Sequence, residues 1–310
     1  MPAALAVVLA CVALACAAAP AAAAPVALGM GEQQPGMFSD PLFQRLGLRH
    51  ARYLVPWDAL DRPRQRARID AWMEAARTSG VRVMLSFQHS RRSRTAAIPR
   101  PLPFLLSFLA FRERYPQVDS WVVWNEANHP LSRSSTRPGR IARLFDAVAR
   151  NCAGCRIIGA DVLDISGMTG WVRAFLRRAR ERPRIWGLHN YVDARRRTSV
   201  GTRSLLAATR GQVWFTETGG WLVRRKYERR QVVREFRTSP RAAADATRHV
   251  FRLACESRRI RRVYLYNWQA PRYVTTWDSG FVGARGRPRP AYDLLLRTVR
   301  RAGGPFLRCG

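Results

Sequence analysis

The chain has 310 residues, 47% of them hydrophobic, with 54 Lys and Arg against 21 Asp and Glu and a formal charge of +33. That apolar content is ample for one large core or two modest ones and excludes a chain too polar to bury itself. The charge favours polyanions, acidic cell-surface polymer or nucleic acid. Its arginines are scattered through runs such as FLRRARERPR and LVRRKYERRQVVREF, however, which read as solvated basic surface rather than as a specific nucleic-acid motif.

Residues 1–24 include ALAVVLACVALACAAAPAAAAP, an apolar run ending in small residues. It predicts a signal peptide cleaved near Ala23 or Ala24. VLAC and ALAC leave lipoprotein processing open, whereas an anchoring helix is disfavoured by the alanine content and the short stretch after Pro20. No later segment is long and apolar enough to span a bilayer, so a secreted or cell-surface protein is expected. Cys11 and Cys16 would leave with the signal. The mature chain keeps Cys152, Cys155, Cys255 and Cys309, an even number that in an exported protein predicts disulfides, read as Cys152–Cys155 and Cys255–Cys309. A zinc site or a redox role for Cys-x-x-Cys are the competing readings.

From Pro25 onward, short β-branched runs alternate with longer amphipathic stretches of helical spacing. PVALGMGEQ precedes a short helix near SDPLFQRLG, and ARYLVPWD precedes RARIDAWMEAARTSG, which stops at Gly80. VRVMLSFQHS is followed by PFLLSFLAFRERYP, and DSWVVWNEANHP by RIARLFDAVARNC. RIIGADVLD leads to GWVRAFLRRARE, and RIWGLHNYVDA to RSLLAATRG. QVWFTETGGW comes before a helix that Ser239 would cap, with Pro240 in its first turn. RVYLYNWQA and AYDLLLRTVR close the series, with PRYVTTWDSGFVGARGRPRP as the loop between them. Eight strand–helix units in alternation predict a single (β/α)8 barrel over residues 25–310. The rival doubly wound sheet lacks its phosphate turn, because GMGEQQPG opens no convincing helix.

Catalytic groups of such a barrel sit at the C-terminal ends of its strands. That rule collects Glu32, Gln33, Trp57, Asp58, Gln88, His89, Asn125, Glu126, Asp161, Asp164, His189, Tyr191, Glu217, Asn267 and Trp268. Glu126 ends the fourth run and Glu217 the seventh. They are 217 − 126 = 91 residues apart, three units of roughly 30 residues. Carboxyls facing one another across a barrel mouth are the apparatus of glycoside hydrolysis, one protonated to serve the leaving oxygen and one ionised. A neighbouring like charge would keep the acid protonated. Trp57, Trp268 and Trp221 offer flat faces to sugar rings, although any one of them is more often core. His89 is a candidate for the sugar pocket, and His129 either tunes Glu126 or caps the next helix. Asp161 and Asp164 read as supporting or structural.

WNE at strand four with TETG at strand seven resembles glycoside hydrolase clan A, and the strand order extends the likeness over the whole mature chain. The resemblance implies a retaining mechanism on β-configured glycosides. In it Glu126 is the acid/base, Asn125 the amide that binds the 2-hydroxyl, and Glu217 the nucleophile. Tyr191 or His189 orients that nucleophile, and Trp268 is the strand-eight sugar platform. Two departures stand out: Ala127 follows the acid/base where many members carry Pro, and Arg52 lies early in strand two, too early to reach the nucleophile. The expectation is a secreted, monomeric glycosidase needing no cofactor or metal. The alternative is a catalytically silent barrel that binds anionic surface glycans. A metal-dependent hydrolase is disfavoured by only five histidines in the chain.

Overall fold

A computed structural model describes residues 25–91, 97–228, 231–273 and 276–309; the signal-peptide expectation lies outside them. Eight parallel strands close into a barrel: β1 (Val26–Gly31), β2 (His50–Pro56), β3 (Arg82–Gln88), β4 (Val118–Val122), β5 (Arg156–Leu163), β6 (Ile185–His189), β7 (Gln212–Thr218) and β8 (Ile260–Tyr266). Each pairs with the next, and β8 pairs with β1 from Ala27↔Arg262 to Gly31↔Tyr266. Closure leaves no barrel strand with an open edge. The fold is the predicted (β/α)8 barrel.

Helices cover the outer face because their apolar residues recur every three or four positions. Helix Pro290–Ala302, for example, buries Ala291, Leu294, Leu295, Val299 and Ala302. Helix Pro240–Ala254 starts as predicted, with the Ser239 hydroxyl accepting from Ala242 N at 3.0 Å. Disulfides join Cys152 to Cys155 and Cys255 to Cys309. The second ties the end of that helix to the C-terminal segment, where Phe306–Leu307 pairs antiparallel with β1. Among the described residues no helix is long and apolar enough to cross a membrane.

One segment differs from its sequence reading. LVRRKYERRQVVREF is not simply basic surface: Val223–Glu228 and Gln231–Arg237 form an antiparallel hairpin, joined by Trp277–Asp278 as a third strand. Dense arginines mask its strand periodicity, since their long stems tolerate either state.

Inside the barrel, Met84, Val122, Ile158, Ile185, Trp214 and Tyr264 form an apolar plug. A second layer is polar: Arg52, Ser86, Asp161 and Thr216 are at most 1% exposed. The Asp161 carboxylate has room because β6 carries Gly187 beside it; a Cβ there would lie 2.0 Å from Asp161 Oδ1 and 2.7 Å from Thr216 Oγ1. Gly187→Ala therefore overpacks a layer with no slack, at about 1–3 kcal/mol. Its thermal midpoint should fall by about 5 °C; an unchanged melt would mean that Asp161 does not rest against β6.

Candidate active site

The two candidate carboxylates are brought together. Oxygens of Glu126 and Glu217 and a ring nitrogen of His189 lie within 4.8 Å of one another. Glu126 is 28% exposed and Glu217 14%, so both reach the mouth from a buried base.

Local irregularities in two strands aim these groups. On β5, Ile158 pairs with Ile185 and Asp161 with Gly187, so three residues of β5 span two of β6. Similarly, Phe215 pairs with Val263 and Thr218 with Leu265, so β7 carries an extra residue against β8. Such bulges re-aim side chains. They let Ile158 and Asp161 both face inward, and likewise Thr216 and Glu217. Glu126 is set differently. It follows β4 with φ 43°, a left-handed conformation that costs a non-glycine residue about 1–3 kcal/mol. Its flanks are clamped: Asn125 N donates to Phe87 O at 2.7 Å and Ala127 N to Asp161 O at 2.8 Å.

Arg52 corrects the expectation that it lies too early in its strand. Its inward side chain spans the polar layer, and its guanidinium donates to Glu217 Oε2 at 2.6 Å, Asn125 Oδ1 at 2.6 Å and Asp161 Oδ2 at 3.1 Å. Asp161 also accepts from Thr216 Oγ1 at 2.6 Å and Ser86 Oγ at 3.2 Å. His189 bridges two acids. Its Nδ1 is 3.1 Å from Glu126 Oε1, and its Nε2 is 3.3 Å from Asp161 Oδ2, an ion pair without hydrogen-bond alignment. Tyr191 donates to Glu217 Oε1 at 3.0 Å. Of the two residues offered as orienting the nucleophile, Tyr191 makes that bond and His189 instead holds Glu126. Buried Asp164 fixes the short helix Tyr191–Arg196 by accepting from Val192 N at 3.0 Å and Asp193 N at 2.6 Å.

Charge is shared unevenly. Burial opposes a charged His189, but Glu217, Asp161 and Glu126 outweigh it and raise the imidazole to about 9. Burial would raise Asp161; His189 and Arg52 instead bring it down to about 2. Glu126 departs from the sequence expectation. Burial pushes its pKa up, yet the hydrogen bond and charge of His189, with the charges of His129 and Arg52, prevail and lower it.

A cleft of about 470 Å³ opens beside Asn125 and Glu126, lined also by Gln88, His89, Trp124, His129, Leu131 and Arg133. His89 lines this cleft, and His129, whose Nδ1 accepts from Leu131 N at 3.1 Å, shares it. Glu32 turns to structure: it accepts from the backbone of Gln33, Gln34 and Gln269. Trp57 is half-buried against the core. Trp268 is no platform. Only 1% exposed, its indole packs edge-on against Phe43 and Tyr292, and its Nε1 donates to Asp40 Oδ2 at 2.9 Å. Two aromatics missed in the sequence take places nearer the carboxylates. Tyr266 ends β8 in the field of Glu217 and Glu126, and half-exposed Trp277 lies 5.1 Å from Tyr191, centroid to centroid.

Glu126, His189 and Glu217 could in principle surround a metal ion. A cationic His189 carries protons on both nitrogens, however, and Arg52 already occupies Glu217, so the set is poorly suited to one.

No protein-family model matches the sequence, and no curated protein does. Solved structures do resemble it. A GH5_18 variant from Streptomyces cattleya in complex with Manβ1-4GlcNAc superposes with a TM-score of 0.62 at 15% identity, over 89% of this chain and 81% of that one. A GH5_18 variant from Bifidobacterium longum subsp. longum gives 0.59 at 13%, over 90% and 79%. A β-glucuronidase of an uncultured Clostridium gives 0.60 at 11%, over 89% of this chain but half of that one. At these identities the likeness is one of fold, a (β/α)8 barrel of the kind found in glycoside hydrolases.

Proposed function

We propose that the chain is a retaining glycoside hydrolase of clan A, acting on a β-glycoside by double displacement. The observation that carries this reading is the short spacing of Glu126 and Glu217, whose closest oxygens lie within 4.8 Å. Retaining enzymes hold their carboxyls about 5–5.5 Å apart, whereas inverting ones need about 6.5–9.5 Å to admit a water. The fold shared with GH5_18 proteins, two of them bound to Manβ1-4GlcNAc, supports the same class of chemistry.

In this mechanism Glu217 attacks the anomeric carbon while Glu126 protonates the departing oxygen; the bond to the leaving group breaks as the glycosyl–Glu217 ester forms. Glu126 then takes a proton from water, which hydrolyses the ester and restores both carboxyls. Arg52 and Tyr191 each donate to a separate oxygen of Glu217, which orients it and stabilises its ionised form. Asn125 has its Oδ1 fixed by Arg52, leaving its NH2 to meet a sugar hydroxyl.

Glu126 takes its proton from solvent as the sugar binds. Arg52 and protonated His189 face Asp161, Glu126 and Glu217, which leaves one excess negative charge when Glu126 is ionised. A bound sugar displaces water and makes that excess costlier, so a proton taken up on Glu126 neutralises the cluster. Export directed by the apolar N-terminal run would place this activity outside the cell.

Glu217→Gln should abolish turnover, and Glu126→Gln should lower kcat about 10²–10⁴-fold on substrates with poor leaving groups and far less on activated aryl glycosides. Proton NMR of the first product should give the β-anomer; an α-anomer would refute retention. Binding of glycans with no turnover, indifferent to Glu217→Gln, would favour the silent barrel. The raised His189 also fixes a pH dependence. Its folded pKa of about 9 exceeds the unfolded value of about 6.5. Its stabilisation is therefore complete below pH 6.5 and lost as pH rises through 9, on the order of 3 kcal/mol in all. Thermal midpoints should fall between pH 6.5 and 9.5 in the wild type and stay flatter in His189→Gln.

A further inference from the structure

The end of the barrel opposite the carboxylates carries a second recess. It is about 740 Å³ in volume and opens where the strands begin, lined by His50, Arg82, Arg156, Arg184, Arg261 and Arg262. A neighbouring hollow of about 410 Å³ shares His50 and Arg82 and adds Arg49. Glu181 is the one acid among the lining residues of the larger recess. Asp119 is consumed by Arg262, at 3.1 Å, and Arg156, at 3.5 Å.

Two features separate this recess from an ordinary basic surface. First, its cations are poorly compensated although they share one concavity. Arg82, Arg184 and Arg261 make no side-chain hydrogen bond or ion pair among the described residues, and a cleft lined by one sign of charge focuses its field. Second, His50 Nδ1 is buried without a partner, and unsatisfied buried polar atoms are rare. Burial, then Arg262, Arg82 and Arg156, hold that imidazole down at about 4 against the pull of Asp119, so it stays neutral at physiological pH.

We infer that this recess binds a segment of an acidic glycan, its sulfate, phosphate or carboxylate groups lying on Arg82, Arg184 and Arg261 and meeting His50. The volume falls within the roughly 300–1,000 Å³ of small-ligand sites. Nucleic acid fits less well because single strands bind by base stacking on exposed rings. The rings here are covered: Trp214 is 2% exposed beneath the Arg262 guanidinium, 4.1 Å from its centroid, and Phe145 is 3% exposed. The site would hold the enzyme on an acidic polymer while the opposite mouth stays free.

Calorimetric titration at 0.15 M salt with a size-defined sulfated hexasaccharide, its neutral counterpart and a 12-nucleotide single-stranded DNA tests this. Wild type should bind the sulfated sugar and neither of the others with comparable affinity. Arg82→Gln combined with Arg261→Gln should weaken binding at least tenfold, and Arg64→Gln combined with Arg68→Gln, on the distant helix Pro63–Thr78, less than twofold. In wild type the His50 imidazole NMR signals should shift on addition of the sulfated sugar. Glu217→Gln should bind as wild type does, which separates this site from the proposed catalysis. Equal losses in both double variants would reduce the binding to diffuse charge. Equal affinity for DNA, no binding by wild type, or an unmoved His50 signal would each overturn the inference.

Discussion

One buried carboxylate organises the mouth of this barrel. Asp161 is fully enclosed and would be costly to ionise alone, by several kcal/mol. It is ionised because Arg52, His189, Thr216 and Ser86 converge on it. Those same cations then extend outward, Arg52 to Glu217 and Asn125, His189 to Glu126. A charge that the core must neutralise thus fixes the position of every group proposed to touch the substrate. Removing one partner of such a cluster leaves the others buried and uncompensated, which is why the layer acts as a unit.

Conformational strain is placed where that cluster can hold it. Glu126 adopts φ 43°, and backbone bonds to β3 and β5 on either side keep it there. The conformation turns its carboxyl across the mouth toward Glu217. The bulges on β5 and β7 do the equivalent for Asp161 and Glu217, each adding one residue against the neighbouring strand. Regular strands would send half of these side chains into the helix layer, where no charge could be matched.

Much of this was legible in the chain. Alternating strand and helix texture yields the barrel, and the 91-residue interval yields the fourth and seventh strands as those whose ends present Glu126 and Glu217. Other features were hidden for physical reasons. The strand-end rule reaches Asp161 only as a supporting residue: strict alternation puts Ile158 and Asp161 on opposite faces, so the bulge that turns both inward hid its central place. Arg52 looked too early in its strand because position along a strand says little about the reach of a long inward side chain. Trp268 follows the last strand as a sugar platform would, yet burial against Phe43 and Tyr292 depends on contacts distant in sequence. Trp277 lies in a segment whose only local signal was its glycines and prolines, and the hairpin that brings it beside Tyr191 was masked by arginine.

The central claim is that Glu217 forms a covalent bond to the sugar. Intact-mass analysis after incubation with a panel of 2-deoxy-2-fluoro β-glycosides carrying activated leaving groups addresses it most directly, because the fluorine slows hydrolysis of the ester. The account predicts one fluorosugar mass added to the wild type, a peptide map that assigns it to Glu217, and no adduct on Glu217→Ala. An adduct on another residue, or turnover of the parent glycoside with inversion and no adduct, would contradict it.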